Sequence, residues 1–255
     1  MSKRIGDFKV IDNKRINNDF HVIELSGNNK LPDIKPGQFV QVKVDNSPET
    51  FLRRPISIHD VDYNRNTLKL LIQIVGKGTE TLSKLKKDDL LNIIYPLGNS
   101  FSVPGENEKI LLVGGGCGIA PLLYLGKYLK SNGYYPDVLL GFRNFERIIE
   151  YEEYTKVGKV YLTTEDGSKG EKGYVTSHSV LTNVKYDRIY CCGPDSMMKA
   201  IAGYSRKNKI ICEVSLENLM ACGIGVCLCC VVDTVKGNVC SCVDGPVFNI
   251  NALRW

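Results

Sequence analysis

Between residues 221 and 242 the chain reads ACGIGVCLCCVVDTVKGNVCSC, and six of its ten cysteines fall there. Cys222, Cys227 and Cys230 stand in the spacing C-x4-C-x2-C, and Cys242 follows after eleven further residues. That is the plant-type ferredoxin spacing for a 2Fe–2S cluster. The reason is local. Cluster sulfides accept backbone N–H donors, so the loop has to wrap closely around the inorganic core, and Gly223 and Gly225 permit the dihedrals this requires. Thiolates suit iron as soft anionic ligands. A zinc site from Cys227, Cys230, Cys240 and Cys242 competes, because a Cys-x2-Cys pair also suits zinc. It leaves Cys222 and the two glycines without a role. Under the iron–sulfur reading Cys229 and Cys240 are spare, and spacing alone selects Cys230 over Cys229 and Cys242 over Cys240.

The compartment follows from the same thiols. MSKRIGDFKV carries no apolar signal-peptide core. The longest uncharged stretch, ILLVGGGCGIAPLLYLG (110–126), is too short and too rich in glycine to span a membrane. A cytoplasmic protein is expected, where ten cysteines do not form a disulfide framework. Cys117, Cys191, Cys192 and Cys212, outside the cluster, are expected to be small buried apolar residues. The net charge of +5 comes from scattered Lys and Arg, with short runs such as Lys84, Lys86 and Lys87. That pattern reads as a solvated surface and argues against nucleic acid as a partner.

Three segments are expected. Over 1–103, HVIELS, QFVQVKV, TLKLLIQIV and DLLNIIY are short alternating or β-branched runs separated by turn signals, which predicts an antiparallel β-barrel. Over 104–212, EKILLV, DVLLGF, KVYLTT, RIYCCG and KIICEV alternate with helical stretches such as DSMMKAIAGYSRK, which predicts a Rossmann-like parallel α/β domain. Residues 213–255 are too few for a core of their own and fit a small domain stapled by a metal.

Three motifs are candidate phosphate sites. GGGCGIAP follows a strand and opens a helix at Pro121, so its backbone N–H groups could receive a phosphate. It lacks the G-x-G-x-x-G pattern. FLRRPISI sets Arg53 and Arg54 beside Pro55, which suggests an edge or an opening in the ladder. VGKGTETLSKL sets Gly76, Gly78 and Thr79 before a helical run, a second nest.

Together these motifs resemble the ferredoxin–NADP reductase superfamily, and more closely the electron-transfer subunits of class 1B, NAD-dependent dihydroorotate dehydrogenases. The likeness runs in order through PGQFV, RRPIS, VGKGT, GGGCGIAPLL, CGPDSMM, MACGIGVC and CVDGPVF. It implies a Greek-key barrel carrying FAD, an NAD-binding α/β domain and a 2Fe–2S domain. Arg54, Pro55, Ile56 and Ser57 match the R-x-x-S flavin motif, although Ile56 stands where the superfamily often has tyrosine. Leu71, Ile72 and Gln73 match the strand under the flavin, and Gly78 and Thr79 the phosphate loop. Gly114, Gly115, Gly116 and Gly118 would bind NAD(H), with Cys192 and Gly193 bordering the nicotinamide. Cys222, Cys227, Cys230 and Cys242 match the four cluster ligands. No acid–base dyad appears, so no catalytic residue is assigned. The implied partner is an FMN-containing dihydroorotate-oxidising subunit in a two-plus-two heterotetramer, with electrons running from dihydroorotate through FMN, cluster and FAD to NAD+ in pyrimidine synthesis. Two alternatives stay open. One is a subunit of a bifurcating NADH-dependent ferredoxin–NADP reductase or sulfide dehydrogenase; the other is a non-enzymatic regulator with a zinc-stabilised tail.

Overall fold

The computed structural model describes residues 3–255. Its first half is a closed barrel of β1 (Arg4–Arg15), β2 (Phe20–Gly27), β3 (Phe39–Val42), β4 (Arg54–Asp62), β5 (Thr67–Gln73) and β6 (Leu90–Leu97), with α1 (Lys77–Ser83) between the last two strands. The strands pair antiparallel in the order β1-β2-β5-β4-β3-β6. After β2 the chain passes over β5 and β4 to reach β3, which is the Greek-key connection expected. Alternation along each strand decides what faces inward. Val40 and Val42 of β3, with Leu68, Leu70 and Ile72 of β5, fill the barrel, while Phe39 turns outward. One barrel strand, β1, has no clear apolar alternation and was not anticipated, while β4 begins in the strand-like run FLRRPISI. In β4, Arg54–Ser57 pair with β3 only, and pairing with β5 starts at Ile58. Pro55 therefore falls where the strand has left β5, so its missing N–H interrupts no rung on that side.

The second half is built on β7 (Ile110–Gly115), α2 (Ala120–Ser131), β8 (Asp137–Phe142), α3 (Tyr151–Thr155), β9 (Val160–Thr164), β10 (Glu171–Lys172), α4 (Val180–Asn183), β11 (Arg188–Cys192), α5 (Asp195–Asn208) and β12 (Ile211–Ser215). The rest comprises β13 (Val231–Thr234), β14 (Gly237–Cys240), α6 (Ser241–Asp244) and β15 (Val247–Asn249). The large sheet runs β10-β9-β8-β7-β11-β12-β15, parallel except for β15. Its two faces are separate apolar layers. Leu122, Leu125 and Leu129 of α2 cover one, and Met198, Ile201 and Ala202 of α5 cover the other. β8 and β11 lie on opposite sides of β7, and the helices after β7 and β11 pack on opposite faces of the sheet, so a crevice opens at the carboxyl ends of the strands.

Specific contacts join the halves. Helix α2 lies along β4, where the buried His59 Nδ1 is 2.8 Å from the Ala120 carbonyl. Nearby, Tyr124 donates to the Ile34 carbonyl at 2.9 Å and Lys127 pairs with Asp60 at 2.6 Å. The C-terminal residues are not free-standing. β15 extends the large sheet, and Val232, Phe248 and Leu253 join the layer under α5. Cys191 and Cys212 are buried, as small apolar residues would be. Among the described residues no helix is long and apolar enough to cross a membrane.

Arg188 at the start of β11 is buried and donates to both carboxylate oxygens of Glu108, from Nη2 at 3.2 Å and also from Nε. These bonds hold the Glu108 carboxyl below its ordinary pKa, against the opposing effect of burial. A depressed carboxylate stabilises the fold above its unfolded pKa, and that contribution is lost as pH falls through the lower folded value. Glu108→Gln should therefore be less stable than the parent at pH 7 by about 1.5–3 kcal/mol. The gap should close below pH 4, as read by urea unfolding across that range.

Candidate functional site: a dinucleotide cleft beside a cysteine-rich loop

A cleft of about 880 Å3 opens at the switch point of the sheet. Three segments of the chain contribute to it: Gln73 from β5, Gly115, Gly116, Cys117 and Gly118 from the glycine loop, and Glu217 from the segment after β12. Gly118 is dictated by contact. A Cβ there would stand 2.4 Å from both Cα and N of Gly193, so the loops after β7 and β11 touch backbone to backbone. Gly114, Cys192 and Gly193 are buried beneath this surface, while Gly115, Gly116 and Gly118 line it. Burial raises the Cys117 thiol to about 12, with the charge of Glu217 adding to the effect and the Gln73 backbone opposing it. Cys192 is pushed well above its ordinary value by the same desolvation. Neither thiol is a nucleophile at neutral pH. Glu217 opens into the cleft and is exposed there, and desolvation by the surrounding walls raises its carboxyl.

Sequence reasoning missed Cys117 as a lining residue, together with Glu217, Arg143, Glu165 and Tyr174. Arg143 and Glu165 directly follow β8 and β9, so the rule that ligands sit at carboxyl ends of parallel strands could have found them. Nothing in the sequence around Glu217 signals its position.

On the barrel, the two arginines separate by strand alternation. Arg53 is structural: its Nη1 donates to the Gln41 and Asn92 carbonyls at 3.2 and 3.1 Å, tying β3 to β6. Arg54 stands beside the α1 loop, where a Cβ on Gly78 would come within 3.1 Å of its Nε. The R-x-x-S and G-T motifs thus meet in space. The Thr79 hydroxyl accepts from the Val75 and Gly76 amides at 2.9 and 3.3 Å, so it shapes the loop. Ile56 packs toward the barrel core, Ser57 is half-buried, Leu71 and Ile72 are buried, and Gln73 reaches the cleft.

The cysteine loop aims backbone N–H groups at two of its sulfurs. Cys222 Sγ accepts from the Ile224 and Val226 amides, both at 3.4 Å, and Cys230 Sγ from the Cys242 amide at 3.4 Å. Gly223 and Gly225 take φ of +70° and +90°, which lets the loop curl over its own sulfur. Partial burial disfavours a Cys222 thiolate, yet N–H donors from Ile224, Cys227 and Val226 overcome it and bring the thiol to about 6. Cys242 is raised to about 12 by burial and by its neighbour Cys230. Cys230 and Cys242 are buried against Phe39 and Leu97 of the barrel, whereas Cys227 is exposed. Cys229 is exposed beside the Leu219 carbonyl, and the Cys240 amide donates to Asp244 at 3.1 Å. Among the described residues no three His, Cys, Asp or Glu side chains converge on a single-ion site. A two-iron core shares its four thiolates between two metals, and the soft donor set with N–H groups aimed at sulfur fits it.

Family models match both ends of the chain. Residues 217–254 match the iron–sulfur cluster binding domain of dihydroorotate dehydrogenase B, and residues 7–101 match the oxidoreductase FAD-binding domain. A protein of Caldanaerobacter subterraneus subsp. tengcongensis named dihydroorotate dehydrogenase B (NAD(+)), electron transfer subunit, is 40% identical, over 94% of each chain. Its namesake from Fusobacterium nucleatum subsp. nucleatum is 36% identical, over 96% of each. The chain belongs to this family of electron-transfer subunits. The family's C-terminal domain is an iron–sulfur one, which displaces the zinc reading of Cys227, Cys230, Cys240 and Cys242. Among solved structures, an NADH-dependent reduced ferredoxin–NADP oxidoreductase superposes with a TM-score of 0.88 at 30% identity, covering 97% of this chain and 90% of that one. A ferredoxin reductase of carbazole 1,9a-dioxygenase, at 17% identity and a TM-score of 0.68, shares the fold.

Replacing Gly118 with alanine forces a Cβ onto immovable backbone, at the upper end of the ordinary overpacking cost. Gly118→Ala should lose about 3 kcal/mol of stability by urea unfolding. Gly116→Ala, where the added Cβ meets nothing within 4 Å, should lose less despite its φ of +54°.

Proposed function

We propose that this chain is the electron-transfer subunit of an NAD-dependent dihydroorotate dehydrogenase. It would carry electrons from an FMN-containing catalytic subunit, through a 2Fe–2S cluster and FAD, to NAD+. FAD exchanges a hydride with NAD and single electrons with a cluster, so it is the converter between the two carriers. The working division is a flavin unit over 1–103, a dinucleotide unit over 104–212 and a cluster unit over 213–255. Arg54 and the Gly78–Thr79 loop would hold the flavin pyrophosphate, with Pro55, Ile56, Ser57 and Leu71–Gln73 against the ring. Gly114, Gly115, Gly116 and Gly118, with Cys192 and Gly193 beneath, would shape the seat of the nicotinamide dinucleotide. Cys222, Cys227, Cys230 and Cys242 would ligate the cluster.

The observation that carries this reading is the polarity of the cysteine site. Its inner pair, Cys230 and Cys242, packs on the barrel, and its outer loop bears Cys227 at the surface. Leu219, Val226 and Leu228 around that loop are 87%, 76% and 65% exposed. Large apolar side chains left in water around a redox centre suit a surface that a partner covers. A cluster held this way has one face toward the flavin and one toward a partner, as an exit port requires. A two-plus-two assembly and a cytoplasmic location accord with this, the latter with ten free cysteines.

A second reading, as a subunit of an NADH-dependent ferredoxin–NADP oxidoreductase, rests on the 0.88 TM-score of that structure. It weighs less, because that structure is 30% identical whereas relatives named as dihydroorotate dehydrogenase subunits reach 40%. Co-purification with an FMN-containing dihydroorotate-oxidising chain, as against a larger bifurcating flavoprotein, separates the two.

Two variants test the wiring. In Cys227→Ser, NADH should still bleach the flavin, while NAD+ reduction by dihydroorotate in the assembled enzyme should disappear. Retained coupling would sink the route. Arg54→Ala removes a charge-assisted grip on a phosphate, costing about 2–3 kcal/mol. FAD should bind roughly a hundredfold more weakly by fluorescence titration, and unaltered affinity would take Arg54 out of the flavin site.

A further inference from the structure

Gln41 lies at the centre of β3, on the wall between the barrel and the cysteine loop. Its side chain is fully buried, and among the described residues neither Nε2 nor Oε1 has a hydrogen-bond partner. Its backbone runs in the ladders to β4 and β6, and its carbonyl also accepts from Arg53. A buried amide left in that state costs about 1–3 kcal/mol for each unmet group. Leucine or methionine would fill the same space without that cost, so the amide implies a partner outside the polypeptide.

The surroundings say which one. Phe39, two residues earlier and on the same outward face of β3, packs with Cys230 and Cys242. Gln41 itself presses on Gly223, between Cys222 and Cys227. A Cβ on Gly223 would stand 2.5 Å from Gln41 Cγ and 2.7 Å from its Nε2. The amide therefore sits between the inner cysteine pair and the outer loop. Cys222 and Cys230 already receive backbone donors, but among the described residues no side-chain amide or hydroxyl donates to any of the four sulfurs.

We propose that Gln41 donates an Nε2–H hydrogen bond to a sulfur of the 2Fe–2S cluster and raises its reduction potential. This rests on the iron–sulfur reading above. Accepting one electron adds one negative charge to the cluster, part of it on sulfur, so a fixed N–H donor stabilises the reduced form more than the oxidised form. Gln41 is a positioning and tuning residue. It also ties the cluster to the strand that pairs with the flavin motif, since Gln41 faces Pro55 in register.

The test uses the full chain with FAD and reconstituted cluster, as wild type, Gln41→Leu and Gln41→Met, the second preserving length and volume. Redox titration followed by the electron paramagnetic resonance of the reduced cluster gives its midpoint potential, and flavin absorbance gives that of FAD. Urea unfolding of each metal-free chain gives the structural contribution of the side chain. The cluster midpoint should move to more negative values in both variants and the FAD midpoint should stay. The metal-free variants should be as stable as wild type or more so, because an unmet amide has been removed. An unmoved cluster midpoint overturns the proposal, as does a shift confined to the flavin, which would give the amide to FAD. Loss of stability in both metal-free variants would make Gln41 a packing residue. A wild-type chain with no cluster signal would overturn the iron–sulfur reading itself, an outcome distinct from the others.

Discussion

Cys230 and Cys242 are pressed into an apolar seat formed by Phe39 and Leu97 on the outer wall of the barrel, and the wall behind that seat is only one strand thick. Phe39 stands opposite Ser57 and Gln41 opposite Pro55, so the residues under the cysteine site are cross-strand neighbours, in register, of those matching the flavin motif. Adjacent strands lie about 4.8 Å apart. A single β-ladder thus carries the cluster side and the flavin side of the proposed route. Asn99 reinforces the seat, donating to the Asp244 and Val247 carbonyls at 2.7 and 2.8 Å and accepting from the Val247 amide at 3.0 Å. The inner half of the site is dry and rigidly backed, while the outer loop is open to solvent.

The dinucleotide end obeys a different constraint. Hydride transfer needs two flat rings brought face to face without water between them, which is a matter of shape rather than of acid–base chemistry. The chain supplies the shape by letting backbone meet backbone at Gly118 and Gly193, and by drawing Gln73, Cys117 and Glu217 from three segments to one cleft. The thiols near this cleft are kept protonated by burial. Cys222, brought down to about 6 by its N–H donors, and Cys117, raised to about 12 by burial, are therefore the same residue type in opposite environments.

Much of this was legible in the residues themselves. The parallel strands read clearly because both faces of the sheet are covered, so EKILLV, DVLLGF and RIYCCG are nearly unbroken apolar runs. The iron–sulfur stretch, with its clustered cysteines and glycines, read clearly because ligation is local in sequence. β1 was obscure for the converse reason: RIGDFKVIDNKR mixes charge with its apolar residues because most of that strand faces solvent. Glu217 and Gln41 were invisible, since each owes its position to segments far away in the chain. No local pattern announces a glutamine whose importance lies in having no partner. The separateness of residues 213–255 also looks different in three dimensions, because their last strand is part of the large sheet.

That last strand has a further consequence. β12 would be the raw edge of the sheet if β15 did not pair with Glu213, Val214 and Ser215, and uncovered edges invite pairing with other chains. β15 follows directly on the segment that holds Cys242, so the cover of that edge and the filling of the cysteine site depend on the same stretch of chain. If Cys242 ligates the cluster, a molecule made when iron is scarce would lack one of the ties on this stretch, and its sheet would be the more easily unsealed. Iron supply would then act on how long the protein survives in the cell, and not only on whether it conducts.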